Sequence, residues 1–143
     1  METVKRSHDV KDTTYLEKNF PVIDCPVNPC GAKILVQLRT VQEKTQGGII
    51  IAESTKDFNN ENTQLARVVK LGQIAYCNRD SGEPWREGVW AGIGDVVIVP
   101  AWGGFRFKLP IPGTNGKAVF CLFNDINVES VVEGDFETFD QIL

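Results

Sequence analysis

The chain has 143 residues, 42% of them hydrophobic, so it can bury one substantial core and suits a single domain with appendages. It carries fifteen Lys and Arg against nineteen Asp and Glu; four of the acids, Glu133, Asp135, Glu137 and Asp140, fall in the last eleven residues, and the remainder balances at fifteen of each sign. That balance excludes the electrostatic footprint of a nucleic-acid binder, and the lack of a bilayer-length apolar run or of a signal-peptide pattern at Met1–Ser7 points to a soluble cytoplasmic protein with no membrane role.

Residues 1–28 read as an N-terminal arm. They mix charges with scattered apolar side chains at Val10, Tyr15, Leu16, Phe20, Val22 and Ile23, and hold His8, the one histidine, which has no partner nearby in sequence. Pro21, Pro26 and Pro29 mark an extended boundary into the domain. Ala32–Val41 alternates, with Ile34, Val36 and Leu38 on one face and Lys33, Gln37 and Arg39 on the other, which predicts a half-buried strand.

A polar stretch of about twenty residues follows, interrupted by Gly47-Gly48-Ile49-Ile50-Ile51. Two readings fit this triplet. Three β-branched residues suit a short buried strand. Alternatively, the two glycines and the turn-forming Asp57, Asn59, Asn60 and Asn62 suit a long loop whose isoleucines find their burial in a partner. Each buried isoleucine contributes about 1.5–3 kcal/mol, while ordering each backbone residue costs about 1–2 kcal/mol, so one such loop binds weakly.

Leu65–Leu71 predicts a second strand, closed by Gly72. Residues 73–93 are turn-rich, with Asn78-Arg79-Asp80-Ser81-Gly82 as a tip and Trp85 and Trp90 as packing anchors or ligand contacts, the former being the commoner use. Gly94-Asp95 turns into Val96-Val97-Ile98-Val99, apolar on both faces and ended by Pro100. Phe105, Phe107 and Leu109 alternate with Arg106 and Lys108, a turn at Pro112–Gly116 leads into Lys117–Phe123, and Asn127–Val132 supplies a last strand. Beyond it lies an acidic tail, residues 135–143, where Phe136, Phe139 and Ile142 recur at a short helical spacing. Short strands, frequent turns and no long amphipathic helix predict an all-β fold, a small barrel or sandwich over residues 29–134.

Cys25, Cys30, Cys77 and Cys121 fit neither a zinc spacing nor a CxxC redox pair and read as reduced, structural thiols. With one histidine, scattered carboxylates, no phosphate loop and no nucleophile motif, the chain offers no catalytic set, no metal site and no cofactor site.

Several of these stretches together resemble the GroES co-chaperonin family. Pro29-Cys30-Gly31-Ala32-Lys33-Ile34-Leu35-Val36 is similar to its opening strand, with Ala32-Lys33 where the family has Asp-Arg. Gly47-Gly48-Ile49-Ile50-Ile51 resembles the signature of its mobile loop, and Ala66-Arg67-Val68-Val69-Lys70-Leu71-Gly72 resembles the strand and glycine that follow. Gly94-Asp95-Val96-Val97-Ile98 is similar to its Gly-Asp-x-Val element, with Trp102-Gly103-Gly104-Phe105 where the family turns into its next strand.

The resemblance implies a GroES-like β-barrel with a mobile loop at 45–62, a roof hairpin within 73–93 and extended terminal arms. It implies a homo-oligomeric, heptameric ring that caps a GroEL-like chaperonin cylinder, encloses an unfolded client indirectly and assists ATP-dependent folding, the nucleotide belonging to the chaperonin. Gly47, Gly48, Ile49, Ile50 and Ile51 would bind the chaperonin, which favours the loop over the buried strand. Neighbouring subunits would pair Ala32–Leu38 with Val128–Val132, placing Ile34, Val36, Val128 and Val131 at the subunit interface. The long arms and enlarged turns are closer to divergent bacteriophage-encoded members, which would act in the host cytoplasm. A second reading, from another class, is a capsid-associated virion assembly protein that reuses the barrel and docks through its arms.

Overall fold

The alternation at Ile34, Val36 and Leu38 builds the strand at the heart of the molecule, β1 (Lys33–Leu38). The structure, a computed structural model, describes residues 14–40, 63–134 and 136. In them a short helix, α1 (Thr14–Asn19), precedes β1, and β2 (Leu65–Leu71), β3 (Val96–Ile98), β4 (Phe105–Pro110), β5 (Lys117–Asn124) and β6 (Ser130–Val131) follow. The strands form one antiparallel sheet in the order β4-β5-β1-β2-β3-β6, the all-β architecture expected from the strand and turn pattern.

The sheet curls. Val119, Cys121 and Phe123 of β5 share one buried cluster with Val97 of β3, although the two strands lie three places apart in the sheet, about 14 Å if it were flat. Ile34, Val36, Leu38, Ala66 and Val68 fill the space between them. Part of the bend comes from a register shift between Leu35 and Val36: Leu35 faces Lys70 while Val36 faces Val68, so β2 carries one extra residue at Val69.

Alternation on its own predicts one wet face for β1, yet Leu35 and Gln37 are buried as well. The cover is supplied by the stretch after α1. Cys25, with Ile23 and Val27 beside it, packs on Leu35, Ala118 and Phe120, and Phe120 stacks on Phe107 at 5.6 Å between ring centroids. The Gln37 amide donates to the Pro21 carbonyl at 2.9 Å. The Lys70 ammonium donates to the carbonyls of Cys25 (2.7 Å) and Val27 (3.1 Å) and to Asn28 Oδ1 (2.7 Å). Residues 20–28 thus form a strap across the outer face, joined to the sheet by side-chain hydrogen bonds.

Two glycines are required by close approach. A Cβ on Gly72 would sit 2.2 Å from the Gly31 carbonyl oxygen, because the chain after β2 turns back onto the start of β1 and the Gly72 amide bonds Lys33 O at 2.8 Å. A Cβ on Gly104, whose φ is +69°, would meet Leu122 O at 2.5 Å and Cys121 Sγ at 2.7 Å.

Candidate functional site

The segment that carries Gly47, Gly48, Ile49, Ile50 and Ile51 runs between β1 and β2, and these five residues lie outside the described residues. Both of its stems are described. β1 and β2 pair up to Leu38 and Ala66, and the Arg39 amide donates to Leu65 O at 2.9 Å, so the chain leaves and returns at adjacent points on one end of the sheet. The returning stem is fixed on its other side, where Val99 N donates to Gln64 O at 2.8 Å and Leu65 N to Thr63 Oγ1 at 3.4 Å.

Of the residues expected at a subunit interface, Ile34 and Val36 are wholly buried in the chain's own core, and Val128 belongs to the same cluster. β1 is hydrogen-bonded to β5 on one side and to β2 on the other, so its backbone offers no edge to a neighbouring subunit. The fourth, Val131, is half-buried in β6, an edge strand that pairs only with β3 among the described residues.

Residues 73–93 fold around an aromatic cluster. Tyr76 makes an edge contact with Trp85 at 5.3 Å and lies 5.8 Å from Trp90, and the two tryptophans contact each other at 5.1 Å, so they pack as anchors in the chain itself. The Asn78–Gly82 tip forms as expected: Asn78 Oδ1 accepts from the Asp80 and Ser81 amides, and Gly82 N donates to Asn78 O. Tyr76 has a φ of +61°, an uncommon conformation for a bulky residue. It is held by Asp125, whose Oδ2 accepts from the Tyr76 amide at 2.9 Å while Oδ1 accepts from Ile126 N at 2.8 Å. Sequence reasoning missed Asp125. Its signal is weak, an Asp after Asn124 that reads as an ordinary turn residue, and its partner lies 49 positions away.

The Gly94-Asp95 turn has a clear physical basis. Gly94 has a φ of +95°, and Asp95, 2% exposed, accepts from the Gly92 amide through Oδ2 at 2.8 Å while Val68 N bonds its carbonyl. Burial, with Asp125 and then Asp95 adding to it, pushes the Tyr76 phenol up to about 12. Burial likewise pushes the Cys121 thiol up to about 11, the Arg106 guanidinium pulling it partly back. A thiol so held is a poor nucleophile. All four cysteines are free; Cys30 is exposed and Cys25 and Cys121 are buried. Among the described residues no group of three or more His, Cys, Asp or Glu is placed to hold a metal ion, and no helix is long and apolar enough to cross a membrane.

Comparison with known proteins bears on the same span. The family model described as Chaperonin 10 Kd subunit matches residues 26–128. The chain is 35% identical over 83 residues to the Co-chaperonin GroES of Desulfotalea psychrophila (strain LSv54 / DSM 12343), covering 58% of this chain and 79% of that relative. It is 26% identical over 113 residues to the Co-chaperonin GroES of Methylacidiphilum infernorum (isolate V4), covering 79% of this chain and 100% of that relative.

Proposed function

The chain belongs to the chaperonin 10 Kd subunit family, to which the GroES co-chaperonins it matches also belong, and from that membership we propose that it is a co-chaperonin that docks on a GroEL-type chaperonin through Gly47-Gly48-Ile49-Ile50-Ile51. The observation that carries this reading is the placement of that signature between the paired stems Arg39 and Leu65, inside the matched span 26–128. A loop with both ends pinned at one end of a rigid sheet can present three isoleucines to an apolar groove. Gly47 and Gly48 supply the backbone freedom for them to order on binding.

One loop binds weakly by the balance of burial against ordering, so function requires several loops on one ring. Once the first docks, later contacts become intramolecular, and avidity exceeds single-loop affinity without making release slow at each site. We propose a heptameric lid whose subunits meet through β6, which lies at the edge of the sheet among the described residues, with Val131 at the contact. Its place of action is the cytoplasm, and its client is enclosed by the complex without direct recognition by this chain. Hydrolysis of ATP belongs to the chaperonin. The virion-assembly reading has no comparable support, since the curated proteins matched are named as co-chaperonins.

The test is refolding of a chaperonin-dependent client with chaperonin and ATP. Addition of this protein raises the yield, and Ile50→Asp, which would bury a charge in an apolar groove, abolishes the gain. A yield unchanged by the wild-type protein, in a preparation shown to be folded, would sink the proposal.

A further inference from the structure

The family match ends at residue 128 and begins at residue 26, yet a residue beyond each end of that span, Phe136 and the segment α1–Phe20, converge on the base of the 41–62 segment. Leu16 and Phe20 pack with Leu65, Val96, Val132 and Phe136, and Phe20 meets Phe136 edge to face at 5.6 Å. Asn19, the last residue of α1, is 1% exposed and grips the outgoing stem twice: its carbonyl accepts from the Thr40 amide at 2.9 Å and its Oδ1 accepts from Arg39 Nε at 2.9 Å. The Arg39 guanidinium lies over the Phe136 ring, 5.3 Å from the centroid. The returning stem is held by the same cluster through Leu65, which is 5% exposed.

We propose that α1 and Phe136 form a clamp on both stems of the docking loop, with Asn19 and Arg39 as positioning residues that set the affinity of docking; this rests on the docking reading above. The physical link is the cost of order. With the clamp closed, Arg39, Thr40 and Leu65 are fixed before the chaperonin is met, so ordering them costs nothing at docking. With it open, the stems fray, and each frayed residue has to be ordered again at the moment of docking. The stems also lose their fixed direction relative to the sheet, which matters when several copies must reach their grooves together. The contacts are local and do not enter the cluster inside the curled sheet, so they can be loosened while the barrel stays folded.

The test uses the full chain with Asn19→Ala and Asn19→Asp, reading residue-resolved amide exchange in the free protein and affinity for a GroEL-type chaperonin with ATP. Asn19→Ala removes one acceptor of the Arg39 guanidinium and is expected to speed exchange at Arg39 and Thr40 about tenfold and to weaken binding by a similar factor, that of re-ordering one backbone residue. Asn19→Asp keeps an acceptor facing the guanidinium and restores both readouts, while amides at Leu35 and Val36 stay as in the wild type. Should Asn19→Ala fail to fold, Phe136→Leu serves with the same two readouts. Unchanged exchange at the stems overturns the clamp, as does faster exchange with wild-type affinity. A wild-type protein that does not bind the chaperonin overturns the docking reading itself, and the clamp's purpose with it.

Discussion

The two faces of β1 are both buried, but by different means. Inside the curled sheet, Ile34, Val36 and Leu38 are covered by other strands of the same sheet, each tied to its neighbours by a backbone ladder. Outside, Leu35 and Gln37 are covered by a strap whose own residues form no strand and which is joined to the sheet through Lys70 and Gln37. Equal burial therefore does not mean equal cooperativity. The inner face opens when the barrel unfolds, whereas the outer cover can open in part while the ladders persist.

The largest expected effect is on the inner face. Ile34→Ala should cost about 4 kcal/mol, in the upper part of the usual range, because β1 is held on both sides and cannot collapse into the cavity. Denaturant unfolding is expected to keep its slope and shift its midpoint; a loss below about 1 kcal/mol would show that this face is not the cooperative core. Alkaline pH comes next. Tyr76 and Cys121, both in the inner cluster, have folded pKa values raised to about 12 and about 11 from 10.0 and 9.0. The folded state therefore holds protons that the unfolded state releases. The stabilisation is fully present below pH 9 and is lost as pH rises through 9–12, each group losing at most about 1.4 kcal/mol per pH unit between its unfolded and folded values. Cys121→Ala should remove the part of this slope that begins near pH 9, which a series of melts at rising pH can check; an unaltered slope would contradict the assignment.

The smallest effect sharpens the comparison most. Cys25 belongs to the strap, facing the sheet, and Cys121 lies inside the barrel, and both are buried and free of disulfide. Under native conditions a thiol reagent should modify exposed Cys30 first, then Cys25 through local opening, and Cys121 only through global unfolding. Lys70→Met removes the three bonds that hold residues 25–28 and should speed labelling of Cys25 about tenfold, leaving Cys121 unchanged. Equal acceleration at both thiols would merge the two layers into one.

The same contrast explains what was legible in the sequence. The strands were readable because their signals are local: alternation at Ile34, Val36 and Leu38, the double-sided apolar run at Val96–Val99, and turn residues at Gly94-Asp95 and Pro112–Gly116. The outer cover was not, since Leu16, Phe20, Ile23, Cys25 and Val27 follow no single period and find their partners through the curl of a sheet that lies later in the chain. Asn19 and Asp125 were illegible for the same reason: each acts on a backbone amide or a guanidinium far along the chain. The Gly-Gly-Ile-Ile-Ile stretch was visible as a pattern in polar surroundings, and its order relative to the flanking strands is what favours the proposed docking role over a short buried strand.

The central claim is that this chain engages a chaperonin through that signature, and co-sedimentation with a purified GroEL-type chaperonin, with and without ATP, tests it most directly. Wild-type protein is expected to pellet with the chaperonin only when nucleotide is present, and Ile50→Asp to remain in the supernatant. A folded wild-type protein that stays in the supernatant under both conditions, or an Ile50→Asp variant that pellets as well as the wild type, would contradict the account.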